Sequence, residues 1–135
     1  MNLLPMEDIP AVLAKFFNGK ETKELKVVHH FSDGICVREL HMSAGDVAVG
    51  ALHKTNHLTF LSKGSIQLRI GEESKLIHAP CTFEALAGSR KIALAYTDCV
   101  ISNIIPTHLT DIEEIEKMFT TLHQDKKELK CLQQS

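Results

Sequence analysis

Hydrophobic and polar positions along the chain follow two different periods. Over residues 6–17, MEDIPAVLAKFF, the residues Ile9, Val12, Leu13, Phe16 and Phe17 recur at helical spacing. Asn18-Gly19 ends that pattern, which predicts a short amphipathic helix. From about residue 25 the period shortens, and runs rich in Val, Ile, Leu and Thr alternate with turn signals. The turns are Ser32-Asp33-Gly34, Ala44-Gly45-Asp46, Lys63-Gly64, Gly71-Glu72-Glu73, Ala87-Gly88-Ser89 and Thr97-Asp98. Such spacing predicts an all-β sandwich or barrel. The clearest alternation is Ser65–Ile70, where Ile66, Leu68 and Ile70 share one face and Gln67 and Arg69 the other. Val47, Val49, Ala51 and His53 also share a parity, up to a turn at Lys54-Thr55-Asn56.

A second helical period closes the chain. Thr110-Asp111-Ile112-Glu113 reads as a capping box, with Thr110 as N-cap and Glu113 at the third helical position. Ile112, Ile115, Phe119 and Leu122 form the apolar stripe that follows. The last dozen residues, QDKKELKCLQQS, are polar. The expected organisation is an N-terminal helical segment over 1–24, a β-barrel over 25–108, and a C-terminal helix with a polar tail over 109–135.

Composition narrows the function. The 135 residues suit one domain, and 44% hydrophobic residues can bury a core. Fifteen basic residues against 17 acidic ones argue against binding to a nucleic-acid polymer. Trp is absent and Tyr occurs once, at Tyr96, a poor inventory for stacking bases. No run approaches the length of a membrane span, and MNLLPMEDIP lacks the features of a signal peptide, so a cytoplasmic protein is expected. Cys36, Cys81, Cys99 and Cys131 are scattered and form no CxxC, which fits reduced, apolar cysteines. There is no GxSxG, P-loop or GxGxxG, and no Ser/His/Asp or Cys/His nucleophile set.

The stretch GALHKTNHLTFLSKG, residues 50–64, carries the chemistry of interest. His ligands must approach a metal from different directions at about 2.0–2.2 Å, and two histidines flanking a tight bend can do so. His53, His57 and Gly64 in this order resemble the first motif of the cupin superfamily. In that motif a glycine precedes an HxH pair, a glutamate follows after three or four residues, and a glycine closes the motif after six more. Matched from Gly64, His57 stands where the family has glutamate, His53 fits the second histidine, and Ala51 falls on the first. The second motif resembles P-x-G-x-x-H, and Leu86-Ala87-Gly88-Ser89-Arg90-Lys91 is its nearest match. Gly88 fits, Leu86 replaces the proline, and Lys91 stands where the last histidine belongs.

This resemblance covers roughly residues 30–110 and implies a small cupin-type β-barrel, a jelly roll, with a helix at each end. A narrower likeness is to small cupin-like proteins of bacteriophages and prophages. It rests on LHKTNHLTFLSKG, HAPCTF and DIEEIEKMF. Functions in that group are poorly defined, but some phage-encoded small-molecule binders sequester nucleotide signals of host defence, and the likeness permits such an accessory role in a bacterial host cytoplasm. Small cupins commonly pair, so a homodimer or larger homo-oligomer is expected.

Two classes of function follow. In the first, His53, His57 and Lys91, with Arg69 and Tyr96, line a pocket for a small anionic or nucleotide-like ligand and no cofactor is needed. In the second, one divalent metal ion is held by His53 and His57, with Glu39 or water completing an isomerase or dioxygenase site. Lys91 favours the first class, because an ammonium repels a divalent cation and attracts carboxylate or phosphate. Each residue also has a plainer role. Lys91 is otherwise a solvated surface lysine, and Gln67 and Arg69 lie on the outer face of their strand. Glu39 then pairs within a sheet, and Tyr96 packs. His29, His30 and His41 lie near strand ends without an obvious partner, and His78, His108 and His123 read as surface histidines.

Overall fold

The computed structural model describes residues 25–50, 52–70 and 73–120. The expected helix over 6–17 and the tail beyond residue 120 lie outside the described residues. Among the described residues, nine strands form two antiparallel sheets, followed by one helix. The strands are β1 (Lys26–Ser32), β2 (Ile35–Met42), β3 (Val47–Val49), β4 (His57–Lys63), β5 (Ser65–Ile70), β6 (Glu73–His78), β7 (Cys81–Ala85), β8 (Lys91–Ala95) and β9 (Cys99–Pro106). The helix α1 spans Ile112–Phe119. The larger sheet has the order β1-β2-β9-β4-β7, and the smaller one β3-β8-β5-β6. No helix among the described residues is long and apolar enough to cross a membrane.

The two sheets face each other across a core of Met42, Leu61, Ile66, Leu68, Ala93, Ala95, Cys99 and Ile101. This is the packing that alternating strands demand, since one face of each sheet must leave water. In β5 the alternation holds: Ile66 and Leu68 are in the core, and Gln67 and Arg69 take the other face. That outer face is less wet than expected, for Gln67 is 2% exposed and accepts a hydrogen bond from the Tyr96 hydroxyl at 3.0 Å. A second cluster, Cys36, Ile105 and Ile115, joins α1 to one end of the larger sheet, with Leu109 and Phe119 packed against it.

Three local expectations shift. The N-cap is Asp111 rather than Thr110: its side chain accepts from the Glu114 N–H at 3.1 Å, so the carboxylate takes the capping role one residue later. Ile112 is consequently exposed, and Ile115 carries the buried face of α1. The strand predicted to run to His53 stops at Val49, so the shared parity of Val47 and Val49 does not extend to that histidine.

The turn from β4 to β5 depends on Gly64, whose φ is +89°. A Cβ there would lie 2.4 Å from the Asp98 carbonyl oxygen and 2.6 Å from the Cys99 Cβ. Only glycine meets both demands, the left-handed backbone and the close approach of β9. Gly64→Ala is expected to lower stability by about 2–5 kcal/mol, from backbone strain plus overpacking. A urea titration of both proteins checks this through the shift in midpoint at unchanged slope.

Candidate functional site

Strand register writes the site. Across the larger sheet, His29 on β1 faces Arg38 on β2, Arg38 faces Asn103 on β9, Asn103 faces Thr59 on β4, and Thr59 faces Phe83 on β7. Arg38 alternates with Glu39 and shares parity with the buried Cys36 and Met42, which sets it on the inner face. Thr59 is wholly buried between His57 and Leu61, and Asn103 lies between the buried Ile101 and Ile105. A polar row thus crosses the inside of the barrel, with an apolar cluster on either side.

Lys91 reaches this row from β8 of the facing sheet. Its Nζ donates to Asn103 Oδ1 at 2.7 Å, lies 2.8 Å from His57 Nε2, and donates to Thr59 Oγ1 at 2.9 Å. Three N–H donors meet three acceptors, and none of those acceptors is a carboxylate. Thr59 Oγ1 also donates to Asn103 Oδ1 at 3.1 Å. These contacts fix the His57 tautomer. Nε2 accepts from Lys91, so Nδ1 carries the proton and donates towards the Thr55 carbonyl at 3.4 Å.

His53 follows β3 in the loop that leads to β4. Its carbonyl accepts from the Gly88 N–H at 2.8 Å, and the next residue, Lys54, donates its N–H to the Phe119 carbonyl at 2.8 Å. The His53 ring stacks on His57, with centroids 4.0 Å apart and planes 28° apart. His53 is 7% exposed, and its Nδ1 is buried without a hydrogen-bond partner among the described residues.

Burial sets the ionisation of these groups. His53 is pushed down to about 3 by desolvation, with His57, Lys91 and Arg38 adding positive potential. Desolvation and Lys91 also hold His57 below its usual value. Lys91 is lowered to about 7, first by desolvation and then by Arg38. Arg38 itself is depressed by burial, and Glu116 on α1 opposes that effect. Among the described residues, neither Arg38 nor Lys91 has an ion pair with a carboxylate. The inside of the barrel therefore sets the Lys91 amine against neutral acceptors, with Arg38 on the same face and Glu116 acting on Arg38 from α1.

The residues singled out in the sequence separate into two groups. His53, His57 and Lys91 come together. Arg69 and Tyr96 do not join them: Arg69 follows Gln67 on the outer parity of β5, and Tyr96 bonds to Gln67. Glu39 also lies apart, on the outer face of β2, where its carboxylate meets His41 Nε2 at 2.6 Å and His30 Nε2 at 3.4 Å. His30 and His41 thereby gain the partner that the sequence did not suggest. Arg38, Thr59 and Asn103 are the additions. Their signal was present in alternation, since Cys36-x-Arg38-x-Leu40-x-Met42 and Ile101-x-Asn103-x-Ile105 each place one polar residue on an apolar parity.

These residues do not suit a divalent cation. His57 Nε2, the nitrogen free to ligate in this tautomer, is occupied by the Lys91 amine. Stacked imidazoles direct their in-plane lone pairs side by side instead of converging on one point. Glu39 is on the wrong face, and among the described residues no group of three His, Cys, Asp or Glu side chains could hold a metal ion.

No family model and no curated protein matches the chain. Solved structures do. A cupin superfamily protein from Desulfitobacterium hafniense is 12% identical with a TM-score of 0.55, over 78% of this chain and 95% of that one. The Cnp3 cupin domain of Schizosaccharomyces pombe is 15% identical with a TM-score of 0.52, over 71% and 72%. Salicylate 1,2-dioxygenase from Pseudoaminobacter salicylatoxidans is 10% identical with a TM-score of 0.57, over 70% of this chain and 29% of that one. With two antiparallel sheets in this order and these structural neighbours, the chain has the cupin fold.

Proposed function

We propose that this protein is a non-catalytic binder that holds a small anionic or nucleotide-like ligand inside the barrel, without a metal. The observation that carries the reading is the Lys91 amine, set among the neutral acceptors His57, Thr59 and Asn103, with Arg38 one register position away and, among the described residues, no carboxylate in an ion pair with Lys91. A half-buried ammonium whose acceptors are all neutral is costly, and a carboxylate or phosphate that displaces one of those acceptors offsets that cost with a charge-assisted hydrogen bond. The unpartnered His53 Nδ1 adds a polar atom for the same ligand. Lys91 and Arg38 are both half-buried and so are not sealed from solvent. The likeness of residues 52–64 to phage-encoded cupin-like proteins extends the proposal to a sequestering, counter-defence role. The protein would act as a homodimer or larger homo-oligomer in a bacterial host cytoplasm.

Native mass spectrometry of protein purified without chelators or a metal-affinity resin is the direct test. An organic adduct supports the binder. A stoichiometric divalent ion, lost on chelation, overturns it in favour of a metal enzyme.

Lys91→Glu is expected to abolish binding of pyrophosphate and other small anions. Lys91→Met weakens it by about 2–5 kcal/mol, the usual cost of removing one partner of a buried charged contact. His53→Ala only weakens binding. Amide chemical-shift titrations of the wild type and the three variants check the order.

Affinity and stability should respond to pH in opposite directions. Lys91 loses its charge above about 7, so affinity for sulfate, whose own charge is constant, falls by up to about tenfold per pH unit beyond that point. Stability of the ligand-free protein behaves otherwise. The folded-state value of Lys91 lies below its unfolded value of 10.5, so the unfolded chain binds more protons in between. Stability therefore rises from about pH 7 towards 10.5. His53, about 3 when folded against 6.5, gives a contribution fully present above 6.5 that is lost as pH falls towards 3. Calorimetry with sulfate and thermal melts across this range check both signs, and Lys91→Met should flatten the alkaline gain.

A further inference from the structure

Lys91 has the surroundings of a nucleophile as well as those of an anion contact. Its Nζ is 2.8 Å from the unprotonated Nε2 of His57, a distance at which an imidazole can relay protons. Thr59 Oγ1 and Asn103 Oδ1, at 2.9 and 2.7 Å, fix the amine in position. Asn103 faces Arg38 in the strand register, which puts a guanidinium on the neighbouring position of the same inner face. Ala93 and Ala95, small side chains, share the inward parity of Lys91 on β8. The unpartnered Nδ1 of His53, on a side chain more than nine-tenths buried, lies in the ring stacked on His57.

We propose that the ligand is a 2-oxo acid, captured reversibly as an imine on Lys91 with its carboxylate on Arg38. The inference rests on the anion-binding reading and adds a carbonyl to the ligand. A simple anion leaves the His57–Lys91 contact without a task, whereas imine formation uses it. The neutral Nζ attacks the carbonyl carbon and forms a C–N bond as the carbonyl π electrons move to oxygen. His57 Nε2 takes a proton from the nitrogen and delivers it to that oxygen, giving a carbinolamine. A second proton follows the same route, the C–O bond breaks, and one water leaves. Both amine hydrogens and the carbonyl oxygen account for that water, so no oxidant or reductant takes part. Arg38 supplies a planar fork for the carboxylate. Burial supports the chemistry further, since it leaves about half of the Lys91 amine unprotonated near neutral pH.

The test is reductive trapping. The full chain is incubated with pyruvate and sodium cyanoborohydride, and intact and peptide mass spectrometry locate the adduct. The expected result is a single adduct on Lys91 with the mass of one pyruvate less one oxygen atom. It is absent with lactate, which keeps the carboxylate but lacks the carbonyl. Arg38→Gln should reduce the yield by about tenfold or more at limiting pyruvate, as the carboxylate contact is lost. Lys91→Arg, which keeps the charge and cannot form an imine, should abolish the adduct. Because the peptide map reads the modified lysine in the wild type, the test does not depend on any variant folding.

Amide shifts recorded with lactate separate the two readings. Shifts at Thr59 and Asn103 with lactate, together with no Lys91 adduct from pyruvate, overturn the imine and leave the anion binder standing. Adducts spread over surface lysines at a yield unchanged in Lys91→Arg also overturn it. A Lys91 adduct without lactate shifts, with its yield lowered in Arg38→Gln, upholds the imine and shows that the carboxylate alone does not hold a ligand. Neither signal overturns both.

Discussion

The hydrogen bonds from Lys91 Nζ to His57, Thr59 and Asn103 tie the smaller sheet to the larger one through the middle of the barrel. An amine in that position is expensive to desolvate, and it is tolerable because each of its donors finds an acceptor. The acceptors are fixed in turn by strand register. Thr59 and Asn103 face each other across β4 and β9, and a hydrogen bond joins their side chains. Moving either strand by one residue would turn its polar side chain to the outer face and put Leu58, Phe60, Ser102 or Ile104 on the inner one. The polar row therefore helps to specify register, together with the apolar clusters on either side of it.

The backbone around Lys91 is built to the same constraint. The Gly50 N–H donates to the Lys91 carbonyl at 2.8 Å, and a Cβ on Gly50 would sit 3.3 Å from that oxygen. β3 ends at Val49, so the chain is free to leave the sheet and place His53 against His57. The same loop meets the end of α1, where Lys54 donates its N–H to the Phe119 carbonyl and its Nζ to the Lys117 carbonyl at 3.1 Å. Ile115 seats the helix on Cys36 and Ile105. The helix thus does two things at once: it closes an apolar cluster at one end of the sheet and holds the loop that carries a site histidine.

Much of this was legible in the sequence. Turn chemistry and alternation marked the strands, and Gly64 anchored the motif from which the fold was read. What misled was the assumption that polar residues opposite an apolar stripe face water. Gln67 obeys the parity and is nevertheless 2% exposed. Conversely, Arg38 and Asn103 sit on apolar parities, and a pattern reading treats a lone polar residue there as noise. Their meaning depends on β2, β9 and β4 being neighbours in space, which no local period reports. His53 was misplaced for a related reason, since a strand's parity carries no information once the strand has ended. The capping frame slipped by one residue because Thr110 and Asp111 are both good caps, and only the backbone decides between them.

The comparison with the cupin pattern then acquires a physical meaning. Where that pattern has a glutamate, this chain has His57, and where it has the last histidine, this chain has Lys91. The first change removes a negative charge, and the second adds a positive one. Strands β4 and β8 bring the side-chain nitrogens of His57 and Lys91 to 2.8 Å from each other. A site with carboxylate and imidazole donors is matched to a cation. The proposed anion binding rests on the opposite set, an amine, a guanidinium and imidazoles held neutral by burial. A fold fixed by register and turn glycines can host either sign, because the residues that decide it occupy only one row of the inner surface.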